Sequence, residues 1–104
     1  AFPRNAKPPW RAIASEVSGR GIPIVGAENW VREPLSYYLA VRVPEWSHLT
    51  TRQRAAHMVF VCRVPKCAAP DDDGSARTRT PVGTWHWGVG HEIVAFDLAE
   101  DRAK

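Results

Sequence analysis

Three histidines, with Glu92 and several arginines, offer the groups that a general acid/base site needs. An imidazole moves a proton near neutral pH, and a guanidinium stabilises a phosphate-like transition state, as in small metal-independent ribonucleases. Nothing in the spacing brings these side chains together, so we predict no catalytic residue and keep a small ribonuclease as an alternative function. The histidines are His57, His86 and His91, and the arginines are Arg63, Arg77 and Arg79.

Two cysteines and two histidines have side chains of the types that ligate tetrahedral zinc. Cys62 and Cys67 are separated by four residues, and so are His86 and His91. Metal-binding cysteines are usually closer together on a tight turn, and Cys62 lies in an apolar run typical of a buried cysteine. We therefore predict neither a metal nor a cofactor. The sequence leaves open whether the cysteines are reduced, bridged or zinc-bound.

The aspartates at 71–73 could in principle hold a divalent cation. Beside Gly74 and Ser75, however, such a run is typical of a solvated turn. Residues 68–80 lack apolar periodicity, so we predict an exposed loop over this range.

Arginine and tryptophan give the main indication of a partner. The formal net charge is +3, and residues 1–67 carry ten Lys and Arg against four Glu. Eleven of the 14 basic residues are Arg, which forks onto phosphates and stacks on bases, and the five Trp offer further stacking surfaces. The leading hypothesis is a small non-enzymatic domain that binds nucleic acid, DNA or RNA, through an Arg-rich, Trp-containing face. Its predicted residues are Arg11, Arg20, Arg32, Arg42, Arg52, Arg54, Arg63, Trp30, Trp46, Trp85 and Trp87.

The same residue types also suit a protein interface, in which an exposed aromatic cluster is the hot spot and charges form the rim. The alternative is therefore a protein-interaction module, such as an inhibitor, immunity or assembly component. Binding that is insensitive to salt would distinguish it from a nucleic-acid binder. No apolar run approaches the ~20 residues that cross a bilayer, and residues 1–10 lack the apolar stretch of a signal peptide. We expect no membrane partner and favour the cytoplasm; the oligomeric state is not indicated.

One segment resembles part of a known family. Residues 13–23 (IASEVSGRGIP), followed by Trp30, Leu35 and Leu39, are similar to the helix, Gly-Ile-Pro turn and Trp of the DNA-binding recombinase domain in large serine recombinases. The likeness covers less than a third of the chain. Residues 24–26 (IVG) stand where that family has Thr-Pro-Arg-Gly, and Pro34 replaces a residue of its second helix. The resemblance adds slightly to the nucleic-acid hypothesis.

Apolar periodicity places the elements. A stripe at i, i+3, i+4 and i+7 starting from Trp10 predicts a helix over about residues 9–18, and residues 22–25 predict a short strand. Residues 36–43 (SYYLAVRV) predict a strand, although the apolar spacing after Pro34 would also suit a short helix. Residues 47–56 predict a helix capped by Thr50 or Thr51.

Two further strand signals complete the fold prediction. Residues 58–64 predict a strand, and residues 83–88 and 91–98 predict a hairpin with Trp85 and Trp87 on one face. The sum is a single small α+β domain over residues 1–104, with an antiparallel sheet of four to five strands and one or two short helices. A small all-β barrel with a helical cap is the alternative.

Overall fold

The computed structural model describes residues 8–64, 78–88 and 90–100. The predicted α+β class is confirmed, and the sheet is open rather than closed into a barrel. The elements are α1 (Trp10–Ser18), β1 (Ile24–Gly26), α2 (Asn29–Leu39), a 3-10 helix (Trp46–His48), α3 (Thr51–Ala55), β2 (Met58–Val64), β3 (Arg79–Trp87) and β4 (His91–Leu98). None of these helices is long and apolar enough to cross a membrane.

The sheet has the strand order β1-β2-β4-β3. β4 pairs antiparallel with both β2 and β3, which confirms the predicted hairpin. β1 instead pairs parallel with β2, because the chain crosses over through α2 and α3 between the two strands. The sheet is therefore mixed where the sequence predicted only antiparallel pairing.

Each face of the sheet carries its own core. Ile13 and Val17 of α1 and Val31 and Leu35 of α2 are fully buried against one face, whose residues include Val59, Val61, Ile93 and Ala95. The opposite face presents Met58, Phe60, Cys62 and Leu98, which cluster with Trp46 and Leu49. This division follows from strand alternation, which sends successive side chains to opposite faces.

The strand predicted over residues 36–43 is wrong, because α2 continues to Leu39 through Pro34. Val31 and Leu35 are spaced i, i+4, and both are fully buried. Their burial outweighs the cost of Pro34 and the strand preference of the two tyrosines that follow. α2 ends at Ala40, whose φ of 58° is left-handed.

The predicted helix near residues 47–56 is the 3-10 turn followed by α3. Thr50 accepts a hydrogen bond from the backbone N–H of Gln53, whose side chain accepts one from the N–H of Thr50, so Thr50 is the N-cap. Of the loop predicted over residues 68–80, residues 68–77 lie outside the described part. Thr78 to Thr80 are exposed, and Arg79 begins β3.

Candidate functional site

The arginines predicted to contact nucleic acid lie on four different elements or just after them. Arg11 lies on α1 and Arg20 just after it, Arg32 lies on α2 and Arg42 just after it, Arg52 and Arg54 lie on α3, and Arg63 lies on β2. Arg20 pairs with Glu16 across 3.7 Å at the surface. Each of the others either has partners within the fold or projects to solvent.

Arg32 and Arg54 hold neighbouring segments of the chain. Arg32 donates hydrogen bonds to Asn29 Oδ1 and, across 3.4 Å, to the carbonyl of Val43. Arg54 donates to the carbonyls of Trp46 (3.3 Å) and Ser47 (3.2 Å), and its guanidinium lies 5.4 Å from the centre of the Trp46 ring. These contacts give both side chains structural roles.

An aromatic cluster, formed by Trp10, Trp30, Trp87 and His91, lies where α1 and α2 meet the β3–β4 turn. Trp30 stacks on Trp87 at 5.6 Å and meets Trp10 edge-on at 5.8 Å, while Trp87 also stacks on His91 at 5.2 Å. Trp87 is only 5% exposed and Trp30 is 41% exposed. Trp30 is therefore the one exposed tryptophan of this cluster.

Arg63 occupies one side of this cluster. Its guanidinium lies 4.8 Å from the centre of the Trp30 ring and 3.5 Å from a carboxylate oxygen of Glu28. A base that stacked on this side of Trp30 would have to displace the arginine, and the phosphate attached to that nucleotide would be repelled by Glu28.

Of the remaining predicted tryptophans, Trp46 is a core residue and Trp85 packs against the core. Trp46 is 6% exposed and packs edge-on against Phe60 at 5.5 Å. Trp85 is partly buried beside the core under α1 and α2, with its ring over Gly83. Neither ring is an open stacking platform.

Besides the paired Arg20, three predicted arginines are exposed: Arg11, Arg42 and Arg52. In the described part of the chain they form no hydrogen bond, ion pair or ring contact. They lie on α1, after α2 and on α3, so they are the arginines with guanidinium groups available to an anionic partner.

The histidines are spread over the sheet. His57 Nε2 lies 2.7 Å from Asp97 Oδ1, at the end of β4. His91 begins β4, about 20 Å from Asp97 at ~3.3 Å per strand residue. His86 pairs with Glu92 on the face opposite His91, by strand alternation. The structure therefore does not bring His57, His86 and His91 together in one acid/base site.

The predicted alternatives for the cysteines now resolve in part. Cys62 is fully buried and disulfide-bonded, so its sulfur is not available as a zinc ligand. Cys67 and the aspartates at 71–73 lie outside the described residues. Within the described ranges no three His, Cys, Asp or Glu side chains are grouped so that they could hold a metal ion.

Sequence reasoning missed the exposed C-terminal end of α2. Tyr37 is 80% exposed, Tyr38 44% and Val41 58%, and the two tyrosine rings meet edge-on at 5.1 Å. The signal was present in the spacing. Once Val31 and Leu35 define the buried side of a helix, Tyr37 falls on its opposite side.

A groove beside β1, which we call the edge groove, adjoins this end of α2. It encloses about 460 Å³, and ten of the twelve described residues that line it are apolar. Val41 and Arg42 also line the shallow depression that contains Tyr37, so the two surfaces are continuous. The edge-groove residues are Ile22, Pro23, Ile24, Val25, Val41, Arg42, Val43, Pro44, Leu49, Gln53, Ala56 and Met58.

Comparison of the chain with protein families, with curated proteins and with solved structures finds no match.

Proposed function

We propose that the chain is a small non-enzymatic protein-binding domain whose contact surface joins the exposed end of α2 to the edge groove. The observation that carries the proposal is the exposure of Tyr37 and Val41 beside an apolar concave surface. Large apolar side chains grouped at a concave surface mark interaction sites, and tyrosine is enriched among the residues that dominate binding energy.

The charged residues of this surface are few and are typical of the rim of a protein interface rather than of its centre. Among the described residues that line the edge groove, Arg42 alone is charged and Gln53 alone is polar without a charge. An apolar centre with few charges favours a protein partner, because duplex and single-stranded nucleic acids present phosphates that need a dense basic surface.

The proposal is tested by selecting ligands from a phage library that displays fragments of the source genome. The selected fragments should bind at least about tenfold more weakly to the double variant Tyr37→Ala/Val41→Ala and respond little to salt. Ala12→Glu, at an exposed position of α1, is the matched control and should bind like the parent chain. Equal binding by the double variant, with its fold confirmed by circular dichroism, would refute the proposal, and so would a selection that enriches nothing.

Nucleic-acid binding is the second candidate, because Arg11, Arg42 and Arg52 are exposed without partners in the described ranges. Its test is fluorescence anisotropy of labelled DNA and RNA oligomers over a salt series, followed by a denaturing gel. Arg42→Ala and Arg52→Ala should each reduce the salt slope by roughly 0.7 to 0.9 if each side chain contacts one phosphate. Unchanged affinity and slope would exclude these two residues from contact with nucleic acid. Cut oligomers would instead support a nuclease activity that uses the histidines.

A further inference from the structure

We infer that the partner docks in the edge groove as an extended, acidic segment that adds a strand to the free side of β1. This inference rests on the proposed function and specifies the chemical class of its partner. It depends on three observations: an open sheet edge, an apolar surface beside that edge, and one unpaired cation.

The first observation is that β1 is the outermost strand, and β2 is its only neighbouring strand among the described elements. Val59 donates its N–H to the carbonyl of Pro23 (2.8 Å), and Ala27 donates its N–H to the carbonyl of Val61 (2.9 Å). Backbone groups alternate along a strand, so the polar groups of Ile24 and Gly26 point away from β2.

The outer side of β1 is covered at one end and open at the other. The N–H of Gly26 donates to the carbonyl of Pro44 (3.0 Å), and Gly26 forms a parallel bridge with Glu45. Neither the N–H nor the C=O of Ile24 has a hydrogen-bond partner in the described part of the chain. Such an unpaired edge is what an extended peptide completes when it adds a strand to a sheet.

The second observation is that the edge groove runs beside this open position. Ile24 lines it together with Val41 and Met58, so alternate side chains of an added strand would meet an apolar surface. A docked helix would fill the groove but satisfy its own backbone, which would leave Ile24 unpaired.

The third observation is charge. Arg42 is exposed and lines the groove; among the described residues it has no ion-pair partner, and no acidic residue lines the groove. An acidic residue, Glu33, lines the adjoining depression that contains Tyr37. A carboxylate on the added strand would pair with its guanidinium, while a basic segment would be repelled. Charge complementarity therefore selects an acidic, alternately apolar segment.

The experiment selects peptides from a random phage-displayed library on the full chain and synthesises the enriched sequences. We expect alternation of apolar and acidic residues, and hydrogen exchange at the Ile24 amide that slows at least about tenfold in the complex. Arg42→Glu should weaken binding at least about tenfold. Arg11→Glu, which changes another exposed arginine outside the groove, should leave the peptide affinity within about twofold of the parent value.

Other results overturn the inference and separate it from the proposed function. Some peptides could bind only when Tyr37 and Val41 are present and yet leave hydrogen exchange at Ile24 unchanged, or could carry basic residues. Either result would refute the acidic added strand but would not contradict the proposed binding surface. Peptides that bind the Tyr37→Ala/Val41→Ala variant unchanged, or a library that yields no binder, would refute both.

Discussion

Replacing Arg54 by alanine should destabilise the fold, whereas the same change at Arg52, two residues earlier in α3, should not. Arg54 donates to two backbone carbonyls and lies over the Trp46 ring, while Arg52 is exposed and has no partner in the described part of the chain. A partly buried hydrogen bond contributes about 1 kcal/mol, and an exposed one and a surface cation–π contact about 0.5 kcal/mol each. Allowing for non-additivity, we expect Arg54→Ala to lower the free energy of unfolding by about 1.5 kcal/mol.

Thermal unfolding followed by circular dichroism measures this difference. For a domain of this size, 1.5 kcal/mol corresponds to a fall in Tm of roughly 6 to 12 °C, and Arg52→Ala should change the free energy of unfolding by less than about 0.5 kcal/mol. Because both variants lose one positive charge from the same helix, their difference isolates the contacts of Arg54. Equal stabilities would refute the structural role. Arg52→Ala is consequently the cleaner probe of nucleic-acid binding, since its folded state should be intact.

Three other substitutions test local packing and backbone geometry. A Cβ at Gly83 would lie 2.8 Å from Cη2 of Trp85, so Gly83→Ala should lower the free energy of unfolding by about 1 to 3 kcal/mol in thermal denaturation. Adding Trp85→Leu to that variant should relieve the clash. An unchanged Tm for Gly83→Ala would contradict the packing argument. Thr50→Ala should lower the free energy of unfolding by about 1 kcal/mol in urea titration, and Thr51→Ala should lower it by less than half of that. Equal losses of stability would show that Thr50 does not act as the N-cap. Ala40→Gly should raise the urea midpoint by the equivalent of about 0.5 to 1 kcal/mol, because Ala40 has a left-handed φ of 58°, and a lower midpoint would show that its methyl group matters more.

The parts of the fold that could be predicted are those in which local pattern and tertiary burial agree. The apolar stripe of α1 predicted its buried side, since Ile13 and Val17 are both fully buried. Alternation likewise predicted the hairpin, with Trp87 turned towards the core under α1 and α2. In both cases the period of the sequence alone selects the element.

α2 could not be predicted from local preference, because two segments with the same apolar pattern and the same Arg-Val ending fold in different ways. Residues 39–43 (LAVRV) include the end of α2 and the irregular segment after it, while residues 60–64 (FVCRV) lie in β2. What differs is the preceding residues, where Val31 and Leu35 anchor a helix on the sheet. The i, i+4, i+8 spacing of Val31, Leu35 and Leu39 was the available signal, and Pro34 obscured it.

The predicted site was less accurate than the fold for a different reason. Composition gives the number of arginines but does not show which of them have partners within the fold. Arg63 contacts Glu28, 35 residues away in sequence, and that separation has no local signature. Whether an arginine meets a partner molecule or its own fold depends on such long-range contacts. The nucleic-acid hypothesis therefore now depends on Arg11, Arg42 and Arg52, which are exposed and have no partner in the described part of the chain, rather than on all seven arginines.

The proposed surface is held in place before any partner arrives, because the segment after α2 is fixed from two sides. The N–H of Val43 donates to Ser36 Oγ (2.9 Å), which in turn donates to the carbonyl of Arg32 (2.8 Å), and the Val43 side chain is buried. On the other side, the carbonyl of Pro44 accepts from Gly26 of β1. Arg42 and Val41 are thus presented to solvent by a backbone whose conformation is already determined, and a partner would pay little entropy to order it. An exposed apolar side chain on a fixed backbone is unfavourable in water and needs little ordering when it binds. This favours an interface at this surface over side chains that are exposed without a binding role.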